Sequence, residues 1–310
     1  RFLRMFLKGF EKPTGLRFIT LELVRGEWRK YRRDLFAKGD YIPNDLQAQT
    51  TFDISTVNIE ENGQRTPVPY VIPPGIEREI NLGTTNLIRL NEQSMVLKVC
   101  DLIDGDARAA YKTTDLDLRQ YKKLKMFVHA EKSKADQELE YGDLTCFIRL
   151  GADFTENYYE YEIPLEFTPW GTSRANPDGI WPYNNRIEIN LEELVDVKHR
   201  RNIASREGNS TVSTIIPYIE YMGRNKVIVL GVPSISDVRA IMIGVRNPKK
   251  ASETESEGKC AEIWVNELRL TDFNKDGGWA ATARVSADLA DFGRRSEEHT
   301  SELQSLLIIS

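Results

Sequence analysis

The sequence lacks any uninterrupted apolar run as long as the roughly 18 residues that mark a membrane-spanning helix. It also lacks an excess of basic charge: 42 Lys and Arg stand against 47 Asp and Glu, and the net charge is −5 at pH 7. The first absence excludes helical membrane spans, and the second excludes the basic surface of a nucleic-acid-binding protein. A membrane-spanning β-strand escapes the first test, because its hydropathy signal is weak in any one segment.

Catalytic side-chain combinations are equally scarce. The chain has three histidines, and His129 and His199 lie far apart in sequence with no Ser or Cys nucleophile motif beside either. Glu160 and Glu162 share one face of a predicted strand and are a candidate pair of glycosidase carboxylates, but nothing places the opposing acid on another strand. We therefore predict that the protein is not an enzyme and has no catalytic residues, cofactor-binding residues, metal ligands or cofactor.

Cysteine is also sparse. Cys100, Cys146 and Cys260 are an odd number without metal-ligand spacing, and each lies in an apolar, strand-like run. Two interpretations stay open: three small buried residues, or one disulfide with one free thiol, as an exported protein in an oxidising compartment would form.

Short strands with polar turns are what the sequence does contain. Residues 262–270 are rich in β-branched and aromatic side chains, and Gly258 and residues 272–274 flank them, which predicts the last strand of a β-sandwich. Residues 191–206 are either a helix or an irregular insertion. We predict an all-β sandwich that is complete over residues 81–275. The other predicted strands are 94–100, 122–131, 144–150, 158–165, 186–191, 226–230 and 238–245.

The flanks of this module are predicted from two further patterns. Residues 51–60 are similar in sequence to residues 262–268, because each alternating run ends in Val-Asn followed closely by Glu. This weak repeat predicts that residues 1–62 are the end of a similar, preceding module. Four prolines within residues 63–80 predict a stiff connector.

A different strand follows the sandwich. Over residues 279–292, apolar residues such as Ala281, Val285 and Leu289 alternate with polar ones, over about the length that a tilted strand needs to cross a bilayer. The same positions also fit an amphipathic helix, and alanine favours helices. The pattern alone does not separate these two interpretations.

Two acidic segments resemble parts of calcium sites. Residues 272–277 match the first half of an EF-hand loop, but Ala283 stands where the bidentate Glu is needed, so we predict a tight turn. Asp101, Asp104 and Asp106 surround Gly105 and offer hard oxygen ligands, although a solvated turn is the simpler interpretation.

Aromatic side chains form a candidate sugar-stacking platform. Core packing is the competing interpretation for the tyrosines, with Tyr159 and Tyr161 on one strand face and Tyr158 on the other. Trp170 and Trp181 flank a loop rich in Gly and Pro, so we predict that they lie on a contact surface. The full aromatic set is Tyr158, Tyr159, Tyr161, Trp170, Trp181 and Tyr183.

The basic residues 198–201 are interpreted as a solvated face.

Several long runs resemble the SprA/Sov family, the giant outer-membrane translocon proteins of the Bacteroidetes type IX secretion system, which some species need for gliding motility. The resemblance covers about residues 1–293. It rests on residues 28–31, 57–62, 70–76, 90–95, 125–131, 156–161, 261–273, 277–281 and 289–292.

That resemblance implies a fragment of a non-catalytic, outer-membrane protein-translocation channel, with residues 276–293 as the first strand of a transmembrane β-barrel. It implies other type IX secretion components, secreted proteins and outer-membrane lipid as partners. The order of strands also resembles jelly-roll carbohydrate-binding modules, which implies a jelly-roll topology. A cell-surface carbohydrate-binding module is therefore the alternative function.

Residues 294–310 are interpreted as a non-native tail, because residues 295–305 correspond to the in-frame translation of a common sequencing adapter. Leaving out the tail removes two Arg and three Glu and changes the net charge from −5 to −4. With its natural continuation replaced, the strand at 279–292 is expected to lack a partner strand in this chain.

Overall fold

The computed structural model describes residues 28–33, 35, 49–78, 80–81, 88–207, 211–249, 258–273, 281–289 and 293–301; for the last two ranges it describes the backbone. In this part of the chain, two antiparallel sheets pack face to face, as predicted for an all-β sandwich. A short pair, β3 (Ile80–Asn81) and β4 (Ile88–Arg89), lies outside these sheets.

The larger sheet has seven strands. In spatial order these are β1 (Arg29–Lys30), β6 (Ala107–Leu116), β13 (Val238–Arg246), β8 (Thr145–Gly151), β9 (Tyr158–Pro164), β12 (Asn225–Leu230) and β11 (Tyr218–Met222). β13 is a central strand of this sheet, and both of its faces are covered.

The smaller sheet has five strands. In spatial order these are β10 (Ile187–Asn190), β7 (Tyr121–Lys132), β14 (Lys259–Phe273), β5 (Gln93–Leu102) and β2 (Thr51–Asn58). The predicted last strand of the sandwich, residues 262–270, is confirmed within β14. It lies between β7 and β5, so the last strand of the sandwich in sequence is central in space.

The main core lies between the two sheets, because alternate side chains of each strand point inward. The five-stranded sheet contributes Leu97, Val128 and Val265, and the seven-stranded sheet contributes Ile148 and Ile243. Each is at most 5% exposed. The alternation seen in several predicted strands therefore reflects the face of each strand that points into this core.

β2 differs from its predicted place at the end of a separate, preceding module. It pairs antiparallel with β5 from Thr51–Cys100 to Asn58–Gln93 and forms an edge of the five-stranded sheet. The short helix α1 (Ile59–Asn62) follows and leads into the connector. The similarity to residues 262–268 therefore reflects two strands of one sheet in this structure.

Residues 191–206 form a helix, α3 (Leu191–Arg206), which resolves the alternatives left by the sequence. Asn190 caps it by accepting a hydrogen bond from the Glu192 N–H, and Leu191, Leu194 and Val197 are buried. A second short helix, α2 (Pro177–Ile180), belongs to the loop after β9. No helix in the described ranges is both long and apolar enough to span a membrane.

Residues 281–289 form a strand, β15 (Ala281–Leu289), rather than the alternative helix. It pairs with β16 (Gly293–Ser301) in a hairpin, so the expectation that it would lack a partner in this chain is wrong. The partner strand comes from the residues interpreted as a tail. Trp279 and Phe292, at the ends of the predicted strand, lie outside the described residues.

Candidate functional site

The outer face of the five-stranded sheet, which points away from the main core, is covered in part by the connector. A second apolar cluster forms there, where Val68, Tyr70 and Val71 of the connector cover Trp264 and Phe127 of the sheet. All five are at most 7% exposed. The connector therefore packs on the sheet through residues 68–71 and forms a third layer over this part of the sheet.

Arg65 fastens the connector to the sheet. Its Nη1 lies 2.6 Å from Glu131 Oε1 and its Nη2 lies 2.7 Å from Glu262 Oε1. Glu131 and Glu262 face each other across β7 and β14, and the guanidinium lies 5.2 Å from the centroid of the Trp264 ring. The Arg65 guanidinium thus forms ion pairs with two neighbouring buried carboxylates and a cation–π contact with Trp264.

Trp181 belongs to the same cluster, so its predicted position on a contact surface is wrong. It is fully buried, and its Nε1 donates to the Val71 carbonyl at 2.8 Å. Trp170, by contrast, is 37% exposed, while its Nε1 donates to the Lys132 carbonyl. The two residues lie in one loop but differ because the connector covers only Trp181.

Three tyrosines of the proposed platform, Tyr158, Tyr159 and Tyr161, are buried, as the core-packing interpretation predicted. Tyr159 and Tyr161 point into the main core, and Tyr158 lies on the opposite face beneath Arg149. The Tyr159 hydroxyl donates to the Pro233 carbonyl, and the Tyr161 hydroxyl accepts from Asn225. Tyr183 is 73% exposed, so the six aromatic residues do not form one surface.

His129 is a packing residue of the outer face. Its ring is fully buried and lies 3.9 Å from the Trp264 ring, centroid to centroid. Burial lowers the pKa of His129 to about 3, so the ring is neutral near pH 7. Nδ1 lies 2.6 Å from the Ile180 carbonyl, which only accepts, so Nδ1 carries the proton.

We expect Arg65→Ala to destabilise the protein by about 3 kcal/mol, because it leaves two buried carboxylates facing each other without their counter-charge. Urea unfolding followed by tryptophan fluorescence measures this loss, and faster proteolysis within residues 63–76 should accompany it. The control is Arg119→Ala, whose partner Asp117 and own side chain are 40% and 67% exposed. Equal stability of the two variants would contradict the fastening role of Arg65.

Glu131 should make this fastening pH-dependent. Burial raises its pKa to about 7, against the opposing effect of Arg65. A carboxyl with a raised pKa stabilises the fold below its unfolded pKa, and that contribution is lost as pH rises through the folded pKa. As the pH rises from about 5 to about 8, we therefore expect the parent to lose about 2–3 kcal/mol of unfolding free energy relative to the Glu131→Gln variant.

Urea unfolding of both proteins at about pH 5 and at about pH 8 measures this difference in unfolding free energy. Glu138→Gln is the control, since Glu138 also pairs with a cation but is 88% exposed. A constant difference between Glu131→Gln and the parent across this range would contradict the assignment.

Glu160 and Glu162 share the outer face of the seven-stranded sheet, as predicted, but both are held in ion pairs. Arg149 Nη2 lies 2.6 Å and Arg246 Nη1 lies 2.8 Å from the Glu160 carboxylate. Glu162 contacts Arg246 and lies 2.8 Å from Lys226. Burial alone would raise the pKa of Glu160, but Arg246 and Arg149 outweigh it and hold the pKa at about 2.

Within the described residues, Asp101, Asp104 and Asp106 do not form a group of potential calcium ligands. Asp106 is bonded to Arg108, and Asp101 lies 3.1 Å from Lys134. Among the described residues, the one potential metal-ligand group is Cys100, Asp101 and Cys260. Its two sulfurs form a disulfide. Residues 274–277 of the EF-hand-like segment lie outside the described residues.

The cysteines adopt the arrangement of one disulfide and one free thiol. Cys100 of β5 is bonded to Cys260 of β14. Cys146 is free and buried, and burial raises the pKa of its thiol to about 12. The thiol is therefore protonated and shielded at neutral pH, which fits a packing role.

The basic residues 198–201 are only partly the predicted solvated face. His199 and Arg200 are exposed, and Arg200 pairs with Glu220. Arg201 is 2% exposed and donates to the Gly231 carbonyl, and Lys198 donates to the Pro233 carbonyl. Two of the four side chains therefore hold the loop after β12 against α3.

Sequence analysis missed Arg65 and Tyr70, which fix the connector in place. The available signal was the apolar content of Val68, Tyr70 and Val71, which exceeds that of a solvated linker. The Tyr70 hydroxyl lies 2.6 Å from Glu92 and 2.8 Å from Ser94, so its polar end is also satisfied. Apolar residues in a connector indicate that the connector packs on a sheet and covers part of its outer face.

Comparison with known proteins gives one family. The family model SprA_N, described as a motility related/secretion protein, matches residues 1–304. This match continues past residue 293 into residues interpreted as a tail. No curated protein matches the chain. Because the match spans nearly all 310 residues, the chain belongs to the SprA_N family of motility related/secretion proteins.

Proposed function

We propose that this chain is a non-catalytic scaffold module of an outer-membrane protein-translocation channel that serves type IX secretion and gliding motility. The observation that carries the proposal is the SprA_N match over residues 1–304. In this proposal the sandwich is of the jelly-roll type, and its partners are other type IX secretion components and the secreted proteins.

The side chains that suggested other functions support this proposal. Glu160 and Glu162 are tied up by Arg149, Arg246 and Lys226, so neither carboxylate is poised for proton transfer. Trp181 contacts the connector, where a sugar-binding surface would leave it exposed.

The position of β15 supports the membrane part of the proposal. It follows β14 after a short segment, and its sequence alternates apolar and polar residues. In the full-length protein we propose it as the first strand of a transmembrane barrel, which satisfies its backbone by closing the sheet. The sandwich would then join directly to the wall of the channel.

Deletion of residues 28–273, which removes both sheets together with the connector, from the full-length protein should abolish secretion and gliding while the remaining protein still reaches the outer membrane. Cell fractionation and assay of secreted proteins in culture medium measure both properties. Full-length protein carrying Arg119→Ala is the matched control and should secrete normally. Normal secretion by the deletion protein, or binding of uncharged glycans by the isolated chain, would contradict the proposal and favour a carbohydrate-binding module.

A further inference from the structure

A cavity of about 820 Å³ opens at the β1–β6 edge of the seven-stranded sheet. It lies on the larger sheet, whereas the connector covers the other one. Its lining combines four basic side chains from one short segment with an aromatic wall. The lining residues are Arg29, Lys30, Tyr31, Arg32, Arg33, Tyr111, Asp153, Phe154 and Thr155.

Three guanidinium groups at this cavity have no acidic partner within the described part of the chain. Arg29, Arg32 and Arg33 are exposed, and none of them forms an ion pair there. Lys30, by contrast, lies 2.7 Å from Asp53. The cavity therefore carries a concentrated positive charge in a protein whose net charge is negative.

The single lining carboxylate does not satisfy these cations. Asp153 Oδ1 accepts hydrogen bonds from the N–H groups of Thr155, Glu156 and Asn157, at 2.9, 2.6 and 3.0 Å. Its Oδ2 accepts from Asn157 Nδ2 at 2.8 Å. Its hydrogen-bonding capacity is used to shape the loop, so the arginines remain available to an external anion.

The aromatic wall is rigid and preformed. Tyr31 packs edge-on against Tyr111 with ring centroids 6.0 Å apart, and Phe154 lies 4.9 Å from Tyr111 and 5.6 Å from Tyr31. Buried Leu35 and Met242 belong to the same cluster. A ligand that contacts this wall thus meets an apolar surface beside guanidinium donors.

We propose that this cavity binds a phosphorylated sugar, either as a soluble sugar phosphate or as the headgroup of a glycolipid. A phosphate monoester carries nearly two negative charges at pH 7 and accepts paired hydrogen bonds from arginine, whereas a lone carboxylate carries one charge. The aromatic wall suits the apolar face of a sugar ring, and the volume is that of a ligand site. This inference is independent of the channel function.

Isothermal titration calorimetry with glucose 6-phosphate, and co-sedimentation with phosphatidylcholine vesicles containing lipid A, test the two sources. Binding to either probe, with no binding of glucose, is the expected result. Binding of glucose 6-phosphate alone identifies a soluble ligand, and binding of the vesicles alone identifies a glycolipid. Plain phosphatidylcholine vesicles should not bind.

The variant Arg32→Ala/Arg33→Ala should weaken binding by at least about tenfold. Arg32→Lys/Arg33→Lys should give an intermediate loss, because it keeps the charge and removes the planar fork. The control Arg119→Ala/Arg239→Ala removes two exposed arginines elsewhere and should bind like the parent. Thermal melts establish that all three variants fold.

Several results would overturn the proposal. These are the absence of binding to both probes, equal binding of glucose and glucose 6-phosphate, and undiminished binding by the Arg32→Ala/Arg33→Ala variant. Equal competition by polyglutamate would also overturn it, because it would show a site for carboxylates in general.

Discussion

Val265→Asp is expected to leave little folded protein. Val265 is 5% exposed in the main core and pairs with Met95 of β5 on one side and Val128 of β7 on the other. Aspartate there would bury a carboxylate with no cation beside it, at a cost of about 4–5 kcal/mol. That loss approaches the whole stability of many domains.

Circular dichroism, soluble yield and thermal unfolding of the purified chain measure this effect. Val232→Asp is the matched control, because Val232 is 64% exposed and the same charge there stays hydrated. The control should unfold within a few degrees of the parent. A Val265→Asp protein with the parent's melting temperature would show that Val265 does not point into the core.

Glu160→Ala is expected to cost about 3–5 kcal/mol. Glu160 is fully buried between Arg149 and Arg246, whose side chains are 6% and 12% exposed. Removing the carboxylate leaves two guanidinium groups close together in a poorly hydrated place. The penalty comes from these abandoned cations more than from the lost bonds themselves.

Chemical unfolding of Glu160→Ala against Glu138→Ala measures the effect of burial. Glu138 also forms an ion pair, with Lys132, but is 88% exposed, so its loss should change stability by less than about 1 kcal/mol. Similar costs for the two variants would contradict the burial of the Glu160 network.

The predicted strands show which sequence signals carry through to structure. β7, β8 and β13 follow predicted ranges closely because each has at least one continuous apolar face. β6 was missed because its buried positions on the two faces include Ala107, Ala109 and Ala110, which are small and have low strand propensity. β6 is a strand because it pairs with β1 and β13. These partners are distant in sequence, so the pattern of residues 107–116 alone does not reveal the pairing.

The outer faces were less predictable than the core. Trp181 and Trp170 look equivalent in sequence, and only the path of the connector makes one buried and the other exposed. Likewise, Glu160 meets Arg246 because β13 and β9 both flank β8. These contacts depend on the spatial order of strands, which local periodicity does not encode.

The place of β14 between β7 and β5 also sets the order of folding. Before residues 259–273 are available, β7 and β5 have no common partner, and the smaller sheet exists as two separate parts with open edges. The disulfide partners at this junction are 160 residues apart. Closure of the smaller sheet therefore requires the last strand of the module and contacts between distant parts of the chain, which favours slow folding.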